Sequence, residues 1–268
     1  LVRGALRPVA LAGNGVIRGG AAPALREFAR ATGIPVATTF MGKGLLAEDD
    51  PRYLGSVGLQ AGDYAMAGFD DADLVLAIGY DLVEHAPAHW NPAGDKRIVC
   101  IDSLPAEIDA HFMPEVELVG DVYHILSRLA EECRHVPHKG GSGRLKEVVG
   151  GAYEAGKADD RFPYQPPRAL HEIREVLGRD DILISDVGLH KLWIGRMFPA
   201  YEPNTVLIAN GLAGMGFAIP AAIAAKLVHP GRKVVAVNGD GGFLMNAQEL
   251  ETAMRLKTPF VCVVWENR

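Results

Sequence analysis

Apolar residues in this chain gather into short, nearly unbroken runs instead of alternating with polar ones. Such runs cover 8–12, 35–39, 74–78, 97–102 and 117–119, and again 182–185, 205–209, 233–238 and 259–265. They are rich in Val and Ile, which reads as strands buried on both faces. The segments between them are long enough for crossover helices. Residues 21–31 carry helical periodicity and stop at Gly33, and Asp121 is placed to cap a helix running to Cys133. Further helices are expected at 168–177, 216–227 and 247–256. Gly and Pro cluster directly after the strand-like runs, where α/β proteins turn the chain.

This pattern forms two groups, and the expected fold is α/β with two three-layer parallel-sheet domains. A Rossmann-like domain spans residues 1–135 and a second domain spans 168–268. The stretch between them, 136–167, reads as a linker: Gly-rich around 139–143, proline-extended at 161–167, with a polar helix at 144–157. The length of 268 residues fits two domains of roughly 100–200 residues each.

Composition narrows the function. With 49% hydrophobic and 22% charged residues the chain is globular, not disordered. No run of 18 apolar residues occurs, and 218–228 is interrupted by Pro220 and Lys226, so no membrane span is expected. A net charge of −6 with scattered Lys and Arg excludes a nucleic-acid surface. Cys100, Cys133 and Cys262 are too few and too dispersed for a disulfide framework, which implies a reducing, cytoplasmic setting. The start at Leu1-Val2-Arg3-Gly4 and the stop three residues after Trp265, at an open sheet edge, lead us to expect a piece of a longer protein.

Gly13-x-Gly15-x-x-x-Gly19, between strand and helix, reads either as a dinucleotide loop or as a tight turn. The acid expected about twenty residues on is missing, and Thr38-Thr39 end the next strand instead. Glu84-His85-x-x-x-His89 has the wrong order for a metal helix and is broken by Pro87. Cys133-x-His135-x-x-His138 lacks a second cluster. Both read as loop histidines.

Residues 234–242, Val-Val-Ala-Val-Asn-Gly-Asp-Gly-Gly, are more pointed. A carboxylate at the end of a buried parallel strand suits ligand binding. Gly239, Gly241 and Gly242 let backbone N–H groups approach a phosphate while Asp240 takes a hard cation such as Mg²⁺. Asn267, 27 residues further on, follows the next strand. If the two strands are neighbours, Asp240 and Asn267 offer oxygens to one ion.

Gly-Asp-Gly followed by Asn at this distance resembles the diphosphate–magnesium motif of thiamine diphosphate enzymes. The rest of the chain is similar to the acetolactate synthase branch of that family. Residues 239–250 resemble its metal motif. The segment Asn210-Gly-Leu-Ala-Gly-Met215-Gly-Phe-Ala resembles the one whose methionine props the cofactor. Asp186-Val187-Gly188-Leu189-His190 resembles a loop of further diphosphate contacts. The resemblance implies thiamine diphosphate bound by Val187, Gly188, His190, Met215, Gly239, Asp240, Gly241, Gly242 and Asn267, with Asp240 and Asn267 as metal ligands.

It also implies pyruvate or another 2-oxo acid as substrate, two pyruvates joined to 2-acetolactate with loss of CO₂, and a homo-oligomer (dimer or tetramer). Residues 79–90 do not resemble the flavin-binding stretch of the biosynthetic members, so FAD is not expected and the flavin-free, catabolic type fits better. The family's catalytic glutamate belongs to a first domain with no counterpart here. No catalytic residue is therefore assigned, and this piece alone is expected to be inactive. A related 2-oxo-acid decarboxylase remains an alternative, as do a nucleotide-binding oxidoreductase using Gly13–Gly19 and a non-catalytic domain pair.

Overall fold

The computed structural model describes residues 1–58, 67–134, 151 and 153–266. The chain divides into two compact units, Leu1–Gly151 and Ala152–Arg268. Most of the expected linker, 136–150, lies outside the described residues, as do His135 and His138; residues 153–157 are helical.

The described residues of the first unit contain six strands: β1 (Pro8–Ala12), β2 (Val36–Thr39), β3 (Tyr53–Val57), β4 (Leu74–Ile78), β5 (Arg97–Asp102) and β6 (Val116–Val119). They form one parallel sheet in the order β3-β2-β1-β4-β5-β6. Helices α1 (Asn14–Arg18), α2 (Ala22–Thr32), α3 (Ala67–Asp70) and α4 (Val122–Glu132) alternate with them. The unbroken apolar runs follow from burial of both faces. Ala10, Ala12, Leu76 and Ile78 pack with Leu25 and Phe28 of α2 and Leu126 of α4. Their neighbours Val9, Leu11, Val75 and Ala77 point the other way, toward Trp90 and Phe112. At the start of α4, Asp121 accepts a hydrogen bond from the His124 N–H at 2.7 Å, the expected cap.

The described residues of the second unit contain four parallel strands, β7 (Ile182–Ser185), β8 (Val206–Ile208), β9 (Val234–Gly239) and β10 (Val261–Trp265), in the order β10-β9-β7-β8. Its helices are α5 (Pro166–Val176), α6 (Leu189–Met197), α7 (Ala218–Val228), α8 (Asp240–Asn246) and α9 (Glu249–Leu256). Ile182, Ile184, Val234 and Ala236 pack on Ala218 and Ala222 of α7, whose small residues bring that helix close to the sheet. The fold is α/β throughout. Among the described residues no helix is long and apolar enough to cross a membrane, and all three cysteines are free thiols.

Several elements depart from the sequence expectation, the short helices α1 and α3 among them. Strand β3 is unanticipated, because Gly55 breaks its apolar run with a φ of +111°. Helix α5 starts two residues early, on Pro166 and Pro167. A proline in the first turn loses no intrahelical hydrogen bond and has its φ preset. The segment from Leu189 is a helix, where the family resemblance implied a loop. The helix expected from 247 is preceded by α8, which begins at Asp240 itself, directly off the strand.

The two halves of the six-stranded sheet meet where β1 and β4 end. Gly79 has a φ of +54°, and a Cβ added there would lie 2.7 Å from the Gly15 carbonyl carbon. Gly79→Ala is expected to cost about 3 kcal/mol, from backbone strain and the forced separation of the two turns. Urea unfolding of the variant against the parent measures this.

Candidate functional site

In the four-stranded sheet the winding direction reverses between β7 and β9. Parallel α/β sheets bind ligands beyond the carboxyl ends of the strands flanking such a reversal. A cavity of about 780 Å³ opens there, within the ~300–1,000 Å³ typical of cofactor sites. Val187 and Gly188 reach it from the β7–α6 turn and His190 from the first turn of α6, Met215 from the turn before α7, Gly239 from the end of β9, and Asp240, Gly241 and Gly242 from the first turn of α8. The fold thus brings together eight of the nine predicted positions. The ninth, Asn267, lies outside the described residues. Its strand, β10, does pair with β9, and Trp265 stands beside Gly239.

One residue organises these turns. Asp186, the first residue after β7, is fully buried. Its carboxylate accepts hydrogen bonds from the backbone N–H groups of Val187 at 2.6 Å, Gly216 at 3.0 Å and Phe217 at 3.3 Å. These charge-assisted bonds tie the turn carrying Met215 to the end of β7. From the other side, the Asn246 side-chain amide of α8 donates to the Gly216 carbonyl at 2.8 Å. Gly216 has a φ of +85°, and a Cβ there would lie 2.7 Å from the Asn246 Nδ2, so only glycine fits. Likewise a Cβ on Gly242 would come within 2.6 Å of the Asp186 Oδ2. Three turns are therefore packed around a single carboxylate.

The cavity walls offer three kinds of group. The first-turn N–H groups of α8, on glycines, have no acceptor within their own helix. Asp240 stands exposed beside them and presents a carboxylate. His190 is buried, and its Nε2 has no partner among the described residues. Burial holds the His190 imidazole below its ordinary pKa, partly offset by a hydrogen bond that the ring donates to the Asp186 backbone and by the Asp186 charge, so the ring is neutral at pH 7. Met215 leans on the glycine turn, its Cε 3.2 Å from where a Gly241 Cβ would sit. Such a set suits a polyanion held with a hard cation, since Mg²⁺ sites use one or two carboxylates plus phosphate oxygens. No group of three His, Cys, Asp or Glu forms a metal cluster among the described residues.

Sequence reading missed two contributors. Asp186 has the same signature as Asp240, an acid at the carboxyl end of a buried strand, and could have been found by it. The segment Phe162–Pro166 also lines the cavity, with Phe162 and Tyr164 in edge contact at 6.3 Å, while Trp193 and Trp265 add further aromatic wall. Nothing in the composition of a proline-rich stretch signals that placement.

Residues 1–129 match the profile of the thiamine pyrophosphate enzyme central domain, and residues 186–268 match that of the C-terminal TPP-binding domain. The chain belongs to the thiamine pyrophosphate enzymes. Within them it is similar to proteins described as acetolactate synthases. It is 37% identical to one from Bacillus subtilis over 97% of this chain and 46% of that protein. It is 37% identical to a catabolic acetolactate synthase from Raoultella terrigena over 84% of this chain and 41% of that protein. A probable acetolactate synthase large subunit from Methanocaldococcus jannaschii is 36% identical over 98% of this chain and 46% of that protein. The chain spans about half the length of the curated relatives it matches.

Replacing Asp186 with Asn leaves one N–H facing an amide nitrogen. It is expected to cost about 1.5–3 kcal/mol, read by denaturant unfolding. The neutral His190 adds a pH effect. The unfolded chain takes up a proton at this position below about pH 6.5 while the folded chain resists it, so stability falls as pH drops through that value. A His190→Gln variant should lose stability less steeply over the same range in parallel thermal melts.

Proposed function

We propose that this chain forms the central and cofactor-binding parts of a thiamine diphosphate- and Mg²⁺-dependent acetolactate synthase of the flavin-free, catabolic type. The reaction is the joining of two pyruvates to 2-acetolactate with release of CO₂. What carries the reading is the convergence of Val187, Gly188, His190, Met215, Gly239, Asp240, Gly241 and Gly242 on one cavity at the sheet's reversal point. The similarity to acetolactate synthases over nearly the whole chain supports it.

The residues fit the group. The N–H groups of Gly241 and Gly242 would donate to diphosphate oxygens, and the Nε2 of His190, unpartnered among the described residues, would donate to one of them once the ring is protonated. Asp240 and Asn267 hold the Mg²⁺ that neutralises the diphosphate. Met215, fixed through Gly216 to Asp186, props the cofactor from the facing turn. When bound, the cofactor supplies the electron sink for decarboxylating a 2-oxo acid and joining the product to a second one. The chain's own work is to hold, orient and shield it. Trp193, Trp265, Phe162 and Tyr164 give that end of the cavity an aromatic lining. The activity belongs to the whole protein, which we take to be a cytoplasmic homo-oligomer that supplies its catalytic glutamate from another domain.

Two measurements test this. Thiamine diphosphate with Mg²⁺ should raise the thermal midpoint of the chain, and Asp240→Ala should remove that rise while leaving the unliganded midpoint unchanged. The full-length protein should convert pyruvate to acetolactate. Release of acetaldehyde without acetolactate would instead identify a 2-oxo-acid decarboxylase.

A further inference from the structure

The six-stranded sheet has a reversal point of its own, between β1 and β4. In nucleotide-binding domains of this strand order the ligand's phosphates lie there, against backbone N–H groups after β1, and an acid at the end of β2 holds the ribose. Here both positions are taken by the protein. Glu84, six residues past β4, is buried at 5% exposure. Its carboxylate accepts hydrogen bonds from the Asn14 N–H, at 3.1 and 3.3 Å to its two oxygens, and from the hydroxyl of Thr39. Thr39 ends β2 and is fully buried. A carboxylate this far from water persists only with such partners.

The crevice itself is shut by backbone. A Cβ on Gly13 would lie 2.8 Å from the Tyr80 Cα, and one on Gly15 would lie 2.6 Å from the Gly79 Cα. The Gly15 N–H donates to the Gly79 carbonyl at 2.8 Å, and the Gly13 N–H to the Ile78 carbonyl at 2.9 Å. The glycines that resemble a dinucleotide loop serve to bring the β1 and β4 turns into contact.

We propose that Glu84 is an internal carboxyl group standing where a dinucleotide phosphate would otherwise bind, holding the ends of β1, β2 and β4 together and barring FAD and other dinucleotides from this unit. Thr39 then takes the part of the missing β2 acid, turned inward to the protein instead of outward to a ribose. The inference stands on the first unit alone and is independent of the reading of the second.

The full chain should bind neither FAD, by flavin fluorescence, nor ADP, by equilibrium dialysis. Glu84→Gln and Thr39→Val should each lower Tm by several degrees. The double variant should lose clearly less than the two losses combined, because both remove the same interaction. Binding of FAD or ADP by the parent chain overturns the proposal, as do single variants as stable as the parent or losses that simply add. Should Glu84→Gln fail to fold, Thr39→Val and the two binding measurements on the parent chain still decide.

Discussion

The second unit depends on one buried carboxylate. Asp186 directly follows β7, its N–H still bonded to the Val237 carbonyl of β9 and its carboxylate buried in the interior. A charge in that position has to be satisfied locally, and the N–H groups of Val187, Gly216 and Phe217 satisfy it. The demand runs both ways. The carboxylate needs those donors, and the turn before α7, with no regular structure of its own, needs the carboxylate to hold it. Met215 and the glycine turn after β9 take their places from this arrangement. The cavity is therefore shaped by a side chain that does not line it.

The two units solve one topological problem in opposite ways. Each parallel sheet has a point where successive crossovers leave in opposite directions, and each such point leaves backbone donors without covering structure. In the first unit Glu84 and the facing glycine turns close the gap from within. In the second unit the corresponding carboxylate, Asp186, is spent on the neighbouring turn, and Asp240 remains exposed beside open glycine N–H groups. One reversal point is self-satisfied and the other has donors to offer. That contrast is consistent with assigning cofactor chemistry to the second unit.

Much of this was legible in the sequence, for a physical reason. Strands buried on both faces must be continuously apolar, so β1, β4, β5, β7 and β9 stand out, and an acid or glycine at the end of such a run has few structural uses. Eight site residues emerge from that logic together with family resemblance. Periodicity fails where tertiary contacts override local pattern. Strand β3 tolerates Gly55 because β2 supplies its pairing. The segment that resembles a loop of diphosphate contacts becomes helical from Leu189, directly after Gly188. Asp186 and Glu84 were harder to read, since the first bonds to residues thirty positions away and the second to one seventy positions away.

The anchoring by Asp186 has a consequence for how this stretch can change over generations. The carboxylate binds main-chain N–H groups, so it is indifferent to which side chains the turn carries, apart from the glycine at 216. Ala213 already sits at a φ of +46°, a left-handed conformation that glycine would occupy more cheaply, and the turn keeps its shape. Drift in side-chain identity at 213, 214 and 217 leaves the anchor intact, whereas proline at 217 would delete a donor that no neighbour can replace. Related chains should therefore vary in the letters of this turn, Met215 and Gly216 apart, while sharing its backbone.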